Sequence, residues 1–165
     1  MNVFVLDEDP VRAAQAQCDR HVVKMVIETA QLLCGLYPPE KIAPPAYKRT
    51  HYNHPCSVWL RAGHANWEWL LAHGHALGAE YTFRYGKTHA SMAAIEWCEK
   101  NPPRYEAFGC LDRTPFVLVM PEKYRTGDPV ESYRQYYRGE KSRFAKWTRR
   151  PVPAWFSRVD ADETP

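Results

Sequence analysis

The sequence contains no P-loop, no G-x-G-x-x-G, no G-x-S-x-G and no H-E-x-x-H. A phosphate-cradling loop, a nucleophile elbow and a helix-borne zinc hydrolase are therefore excluded as its working parts. The zinc-deaminase signature is also missing, and no cofactor is expected. The five cysteines (Cys18, Cys34, Cys56, Cys98, Cys110) are odd in number and form no C-x-x-C pair. That usage argues for free thiols in a reducing cytoplasm, not for a disulfide framework. No signal peptide opens the chain and no apolar run is long enough to cross a bilayer, so no membrane partner is expected. Repeats, low-complexity tracts and linkers are absent too.

What remains is 165 residues that are 45% apolar and 13% aromatic, enough for one domain with a substantial core. "MNVFVLD" predicts a strand or short extended segment. Asp9-Pro10 marks a helix start, with a cap followed by proline at the first helical position. The helical pattern then runs to Gly35, with a break near Asp19. "YPPEKIAPPAY" is a proline-rich loop. "HPCSVWLRAG" predicts a short helix and "HANWEWLLAHGHALGAEYTFRYG" a long one. A further helix, "THASMAAIEWCEK", has Thr88 as its cap. A second Asp-Pro start, Asp128-Pro129, opens a basic helix expected to reach Trp147. The fold expected is mainly α, a single-domain helical bundle over residues 1–150 with a short extended N-terminal segment. Residues 151–165 form a tail tacked down by Trp155 and Phe156.

Charge is unevenly spread. Residues 1–124 hold 13 basic and 13 acidic side chains, whereas residues 125–150 hold eight basic and three acidic. A cationic stretch rich in tyrosine suits a polyanion such as nucleic acid, although a solvated helix face has the same composition. Arg134, Arg138, Lys141 and Arg143 are its candidate phosphate contacts, joined by Lys48 and Arg49 upstream.

Two helices each carry one narrow line of ionisable groups. His21, Lys24, Glu28 and Gln31 fall within an arc of about 80° on a helical wheel. Asn66, His73, Glu80 and Arg84 fall within about 40° on theirs. An ordinary surface helix exposes a wider polar face, so a shared polar cleft is one reading. An i,i+4 pair of Lys24 with Glu28, and of Glu80 with Arg84, is the other. Between the helices, "YKRTHYNHPC" crowds His51, Asn53 and His54 before Pro55, where helix-start amides can bind an anion. "RYGKTH" adds Arg84, Lys87 and His89. All seven histidines lie between positions 21 and 89. Cys18-x-x-His21 and the His51, His54, Cys56 group have spacings open to zinc, but no complete ligand set is legible and no metal is assigned.

"YKRTHYNHPCSVWLR" with "LGAEYTFRYGKTH" resembles pyrimidine-dimer DNA glycosylases, which use a freed N-terminal amine and a first-helix glutamate. The opening segment departs from them. Asn2 is expected to leave Met1 in place, and "DRHVVKM" occupies the region of that glutamate.

"DP…CDRHVVKM…ETAQLL", "NHPC", "EYTFRYGKTH" and "DPVESYRQYYRGEKSRFAKW" together are more similar to the bacteriophage amino acid:DNA transferases, over residues 1–150. That resemblance implies transfer of an amino acid, glycine foremost, to 5-phosphomethyl-deoxyuridine in double-stranded DNA inside an infected bacterial cell. The partners are then DNA bearing a phosphorylated modified pyrimidine and a free amino acid. The product is a hypermodified thymine that resists host nucleases. The chemistry needs a base, cations for the leaving phosphate and an extruded or exposed nucleotide. His21, Lys24, Glu28, His51 and His54 are the candidate catalytic groups. Asn53, Glu80, Arg84, Lys87 and His89 are the candidate substrate contacts, with Tyr47, Tyr52 or Trp59 available to stack on the base. A glycosylase or lyase, and a non-catalytic DNA-binding protein, are the alternatives.

Overall fold

A computed structural model describes residues 1–157. The Asp9 carboxylate accepts from the Arg12 N–H at 2.8 Å and starts α1 (Pro10–Gln15). The break expected near Asp19 falls at residues 16–18, after which α2 (Asp19–Cys34) begins. His54 caps α3 (Pro55–Ala62) through Nδ1, which accepts from the Cys56 N–H at 3.1 Å. The long α4 (His64–Tyr85) stops at Gly86, whose φ of 70° is open to glycine at little cost. Then follow α5 (Met92–Lys100) and α6 (Pro129–Lys141), the latter capped by Asp128. No β-strand occurs among the described residues; only an isolated bridge joins Gly63 to Cys110.

Helix α4 is central, packing against α1, α2, α3 and α5. Neighbours on several sides explain its weak amphipathicity: Trp67, Leu70 and Leu77 are buried, and so are Asn66, His73, Glu80 and Arg84. Close approach is bought with missing side chains. A Cβ on Gly78 would lie 2.1 Å from Met92 Sδ, and one on Gly63 2.2 Å from the Asp112 carbonyl oxygen.

The opening segment is extended, unpaired in any sheet, and buried from Asn2 to Leu6. Helix α6 packs mainly on irregular chain. Its Tyr133 hydroxyl donates to the Val117 carbonyl at 2.8 Å, and Arg134 Nε donates to the Leu6 carbonyl at 3.0 Å. Two helix boundaries differ from expectation. Helix α5 begins after Ser91, not at Thr88, because His89 Nδ1 accepts the Ser91 N–H at 3.1 Å. Helix α6 ends at Lys141, not Trp147. Beyond it the Lys146 carbonyl accepts the Asp19 N–H at 2.8 Å, and Trp147 Nε1 donates to the Ala16 carbonyl at 2.9 Å. These bonds tie the chain to the α1–α2 corner. Trp155 and Phe156 pack on the body as expected, while residues 158–165 of the tail lie outside the described part.

Candidate active-site cleft

The polar line of α2 opens onto a cleft of about 270 Å³, walled by the opening segment, Val119, and Tyr136 and Lys141 of α6. Glu28 is its buried floor. One carboxylate oxygen accepts the Asn2 N–H at 3.0 Å and lies 3.7 Å from the Met1 nitrogen; the other lies 3.1 Å from Lys24 Nζ. Lys141 reaches in from α6 with Nζ 4.6 Å from the Tyr136 ring centre. Where glycosylase-like enzymes suggested the "DRHVVKM" stretch, the carboxylate facing the opening segment is therefore Glu28, further along α2.

His21 is neutral in this setting. Burial, and then the charges of Lys141 and Lys24, push its imidazole down to about 3. Phe4 stacks on it at 4.3 Å, and Nδ1 shares a hydrogen bond with the Tyr137 hydroxyl. Its role as a base gives way to that of a neutral wall and hydrogen-bonding group. Phe4 has a φ of 51°, a left-handed conformation that costs a non-glycine residue about 1–2 kcal/mol. Asn2 Oδ1 accepts the Val3 N–H at 2.8 Å, and four aromatic neighbours pin the Phe4 ring. Strain held this firmly is common beside functional sites.

His54 does not itself line the cleft, although the charges of the Met1 amine and the Glu28 carboxylate both reach it. Burial lowers its pKa, helped by the Met1 amine and His51 and opposed by Glu28. With Nδ1 committed to the α3 cap, Nε2 is the ring nitrogen left for chemistry. His51 is exposed and also left-handed, with a φ of 51°; Asn53 and Lys48 are exposed beside it. Arg49 is half-buried and donates to the Tyr37 carbonyl at 3.1 Å.

Other sequence candidates lie elsewhere. Glu80 and Arg84 form an internal network instead of a substrate site. Arg84 donates to Glu80 at 2.8 Å, to Asp19 at 2.9 Å and to the Gln15 carbonyl at 3.1 Å, while Arg150 binds Glu80 at 2.9 and 3.0 Å. With the Arg84 side chain 0% exposed, its guanidinium is out of reach of a ligand. His89 packs behind α2, its pKa lowered by burial and opposed by the Val23 carbonyl; Lys87 is exposed nearby in sequence. Arg134 binds the Leu6 carbonyl and Asp7, and Arg138 binds the Trp155 carbonyl and Glu131. Both fasten α6 and the tail instead of presenting free cations, whereas Arg143 is exposed. Trp59 is buried against Trp69 and Phe116 and offers no open face to a base, while half-buried Tyr47 has its hydroxyl bonded to Ser91 Oγ at 2.9 Å.

No group of three or more His, Cys, Asp or Glu is arranged to hold a metal among the described residues. Cys18 and His21 instead meet at the Tyr137 hydroxyl. The residues that sequence reading missed in the cleft are Met1, Asn2, Phe4, Met25, Val119 and Tyr136. Only the apolar opening ahead of a helix cap hinted at a buried segment needing a partner. Comparison of the chain with family models, curated proteins and solved structures gives no match.

Proposed function

We propose that this protein joins a small amino acid, glycine foremost, to 5-phosphomethyl-deoxyuridine in DNA, displacing inorganic phosphate. One observation carries the reading: the buried Glu28 carboxylate faces the small cleft together with the ammonium groups of Lys24 and Lys141. The incoming amine forms an N–C bond to the exocyclic methylene carbon as the C–O bond to phosphate breaks. The electron pair of that bond leaves on phosphate, and the two lysines offset the charge gathering there. Glu28 attracts and orients the ammonium, and the proton lost on attack passes to Glu28. The size of the cleft, at the low end for ligand pockets, favours a small amino acid. The resemblance of residues 1–150 to the bacteriophage transferases supports the same chemistry.

The test is incubation with duplex DNA containing 5-phosphomethyluracil and each amino acid in turn, followed by nucleoside mass spectrometry. A uracil that carries the amino acid through its nitrogen on the 5-methylene carbon, together with released phosphate, is the expected product. Borohydride trapping on abasic DNA separates the glycosylase or lyase alternative. A trapped covalent adduct without amino-acid transfer would overturn the transferase reading.

A further inference from the structure

One arginine–aromatic–arginine cluster meets His21 at the start of the α2 polar line, and a second lies beside the chain that follows α2, where Arg49 Nε donates to the Tyr37 carbonyl at 3.1 Å. In the first, Arg20 lies 4.7 Å and Arg143 5.9 Å from the ring centre of Phe144. Phe144 in turn meets His21 at 6.0 Å, edge to face. In the second, Arg49 and Arg61 lie 4.6 and 3.8 Å from the ring centre of Tyr52, on the loop that carries His51 and His54. Arg61, like Arg49, donates to a backbone carbonyl, that of Tyr52 at 2.8 Å. None of these four guanidiniums has a carboxylate partner among the described residues, whereas Arg12, Arg84, Arg113, Arg125, Arg134, Arg138 and Arg150 all do. In the cleft, Lys141 also lacks a carboxylate partner among the described residues, and Lys24 has only Glu28. Each pairing with an aromatic ring orients a guanidinium without neutralising it. A planar fork oriented in advance loses less entropy when it meets a phosphate.

We infer that the two clusters are a bipartite phosphodiester grip, holding a nucleic-acid strand on both sides of the nucleotide presented to the cleft. The inference rests on the reading of DNA as substrate, but it concerns backbone binding and not the transfer step. It keeps Arg49 and Arg143 among the phosphate contacts expected from the sequence, adds Arg20 and Arg61, and leaves out Arg134 and Arg138. A strand held at two points leaves the intervening nucleotide free to turn toward Glu28, as chemistry on a base requires.

Binding to unmodified duplex and single-stranded DNA across a salt series tests the grip without any chemistry. The full-length variants Arg20→Ala/Arg143→Ala and Arg49→Ala/Arg61→Ala are compared with Lys100→Ala, an exposed cation outside both clusters. Each lost phosphate contact lowers the slope of log affinity against log salt by about one, so each double variant is expected to lose about two. The Lys100→Ala slope stays at the wild-type value. Asn53→Glu, which adds a carboxylate beside Tyr52 and removes no structural contact, is expected to weaken binding even where an arginine variant folds poorly. Wild-type slopes in both double variants, or unchanged affinity in Asn53→Glu, overturn the grip. Normal binding by a protein that transfers no amino acid would instead defeat the transferase reading and leave the grip standing.

Discussion

Arg84 donates from Nε to the Glu80 carboxylate at 2.8 Å, one turn back on the same helix, and the two side chains are 0% and 2% exposed. Spacing made this pair legible, but the pair faces inward. It links the end of α1 through Gln15, the start of α2 through Asp19, and the 148–150 segment through Thr148 and Arg150. Burial opposes ionisation of Asp19, yet the Thr148 N–H and hydroxyl, with Arg84, hold its carboxyl below the usual value.

Arg84→Ala is therefore expected to destabilise the protein, by about 3 kcal/mol, because it removes the buried cation shared by Glu80 and Asp19 and leaves them only Arg150 and Thr148. Urea denaturation measures the loss. The double variant Glu80→Leu/Arg84→Met should lose less than Arg84→Ala, since it removes both charges and keeps volume. A loss below about 1 kcal/mol for Arg84→Ala would contradict the network's structural role.

Glu28→Gln keeps the shape of the side chain and an acceptor for the Asn2 N–H while removing the charge. Transfer is expected to fall by about 10²–10⁴-fold, the usual worth of a positioned acid–base group. Lys24→Ala should cost activity with little change in melting temperature, its side chain being 68% exposed. Lys24→Arg should rescue only partly, because a planar fork cannot reproduce an ammonium point charge. Full activity of Glu28→Gln would remove the carboxylate from the chemistry.

Stability should decline as the solution is acidified from neutrality. Burial pushes fully buried His73 down to about 4, opposed by the Pro10 and Val3 carbonyls, and His21 lies at about 3. Unfolded histidines take up protons near pH ~6.5. Both contributions are thus complete above that pH and are lost as pH falls toward the two folded values. Each histidine gives a slope approaching about 1.4 kcal/mol per pH unit. Denaturation curves between pH 7.5 and 5 read it directly, and His73→Asn should remove part of the slope. Constant stability over that range would mean that the two imidazoles titrate in the fold as they do in the unfolded chain.

Gly63→Ala should destabilise the α3–α4 corner by about 1–3 kcal/mol, the usual cost of overpacking. The added Cβ meets the Asp112 carbonyl oxygen at 2.2 Å, a backbone atom whose neighbours are fixed by the His64 N–H bond to the Cys110 carbonyl at 2.9 Å. Thermal denaturation compared with an Ala variant of exposed Gly127, where nothing lies within 4 Å, isolates the clash. Equal melting temperatures would show that the 109–112 loop yields freely.

Local signals in the sequence determined the helices. Asp9-Pro10 and Asp128-Pro129 each place a carboxylate where orphan helix amides need one, and Gly86 supplies a left-handed stop; neither depends on distant partners. The same local periodicity exposed the His21–Lys24–Glu28 line. Only tertiary structure decided which polar line opens to a cleft and which is sealed. Glu80 and Arg84 have the spacing of an accessible pair, but α4 is enclosed by four helices, and Asp19 and Arg150 arrive from 65 and 70 residues away to complete the pairing. Arg134 and Arg138 were likewise spent, on the Asp7 and Glu131 carboxylates as well as the Leu6 and Trp155 carbonyls, contacts that the sequence pattern did not single out. Phe4 enters the cleft through a strained backbone stabilised by rings from α2 and α6. Periodicity reports which face of a helix is polar; whether that face meets water, a salt bridge or a substrate depends on chain segments packed against it from far along the sequence.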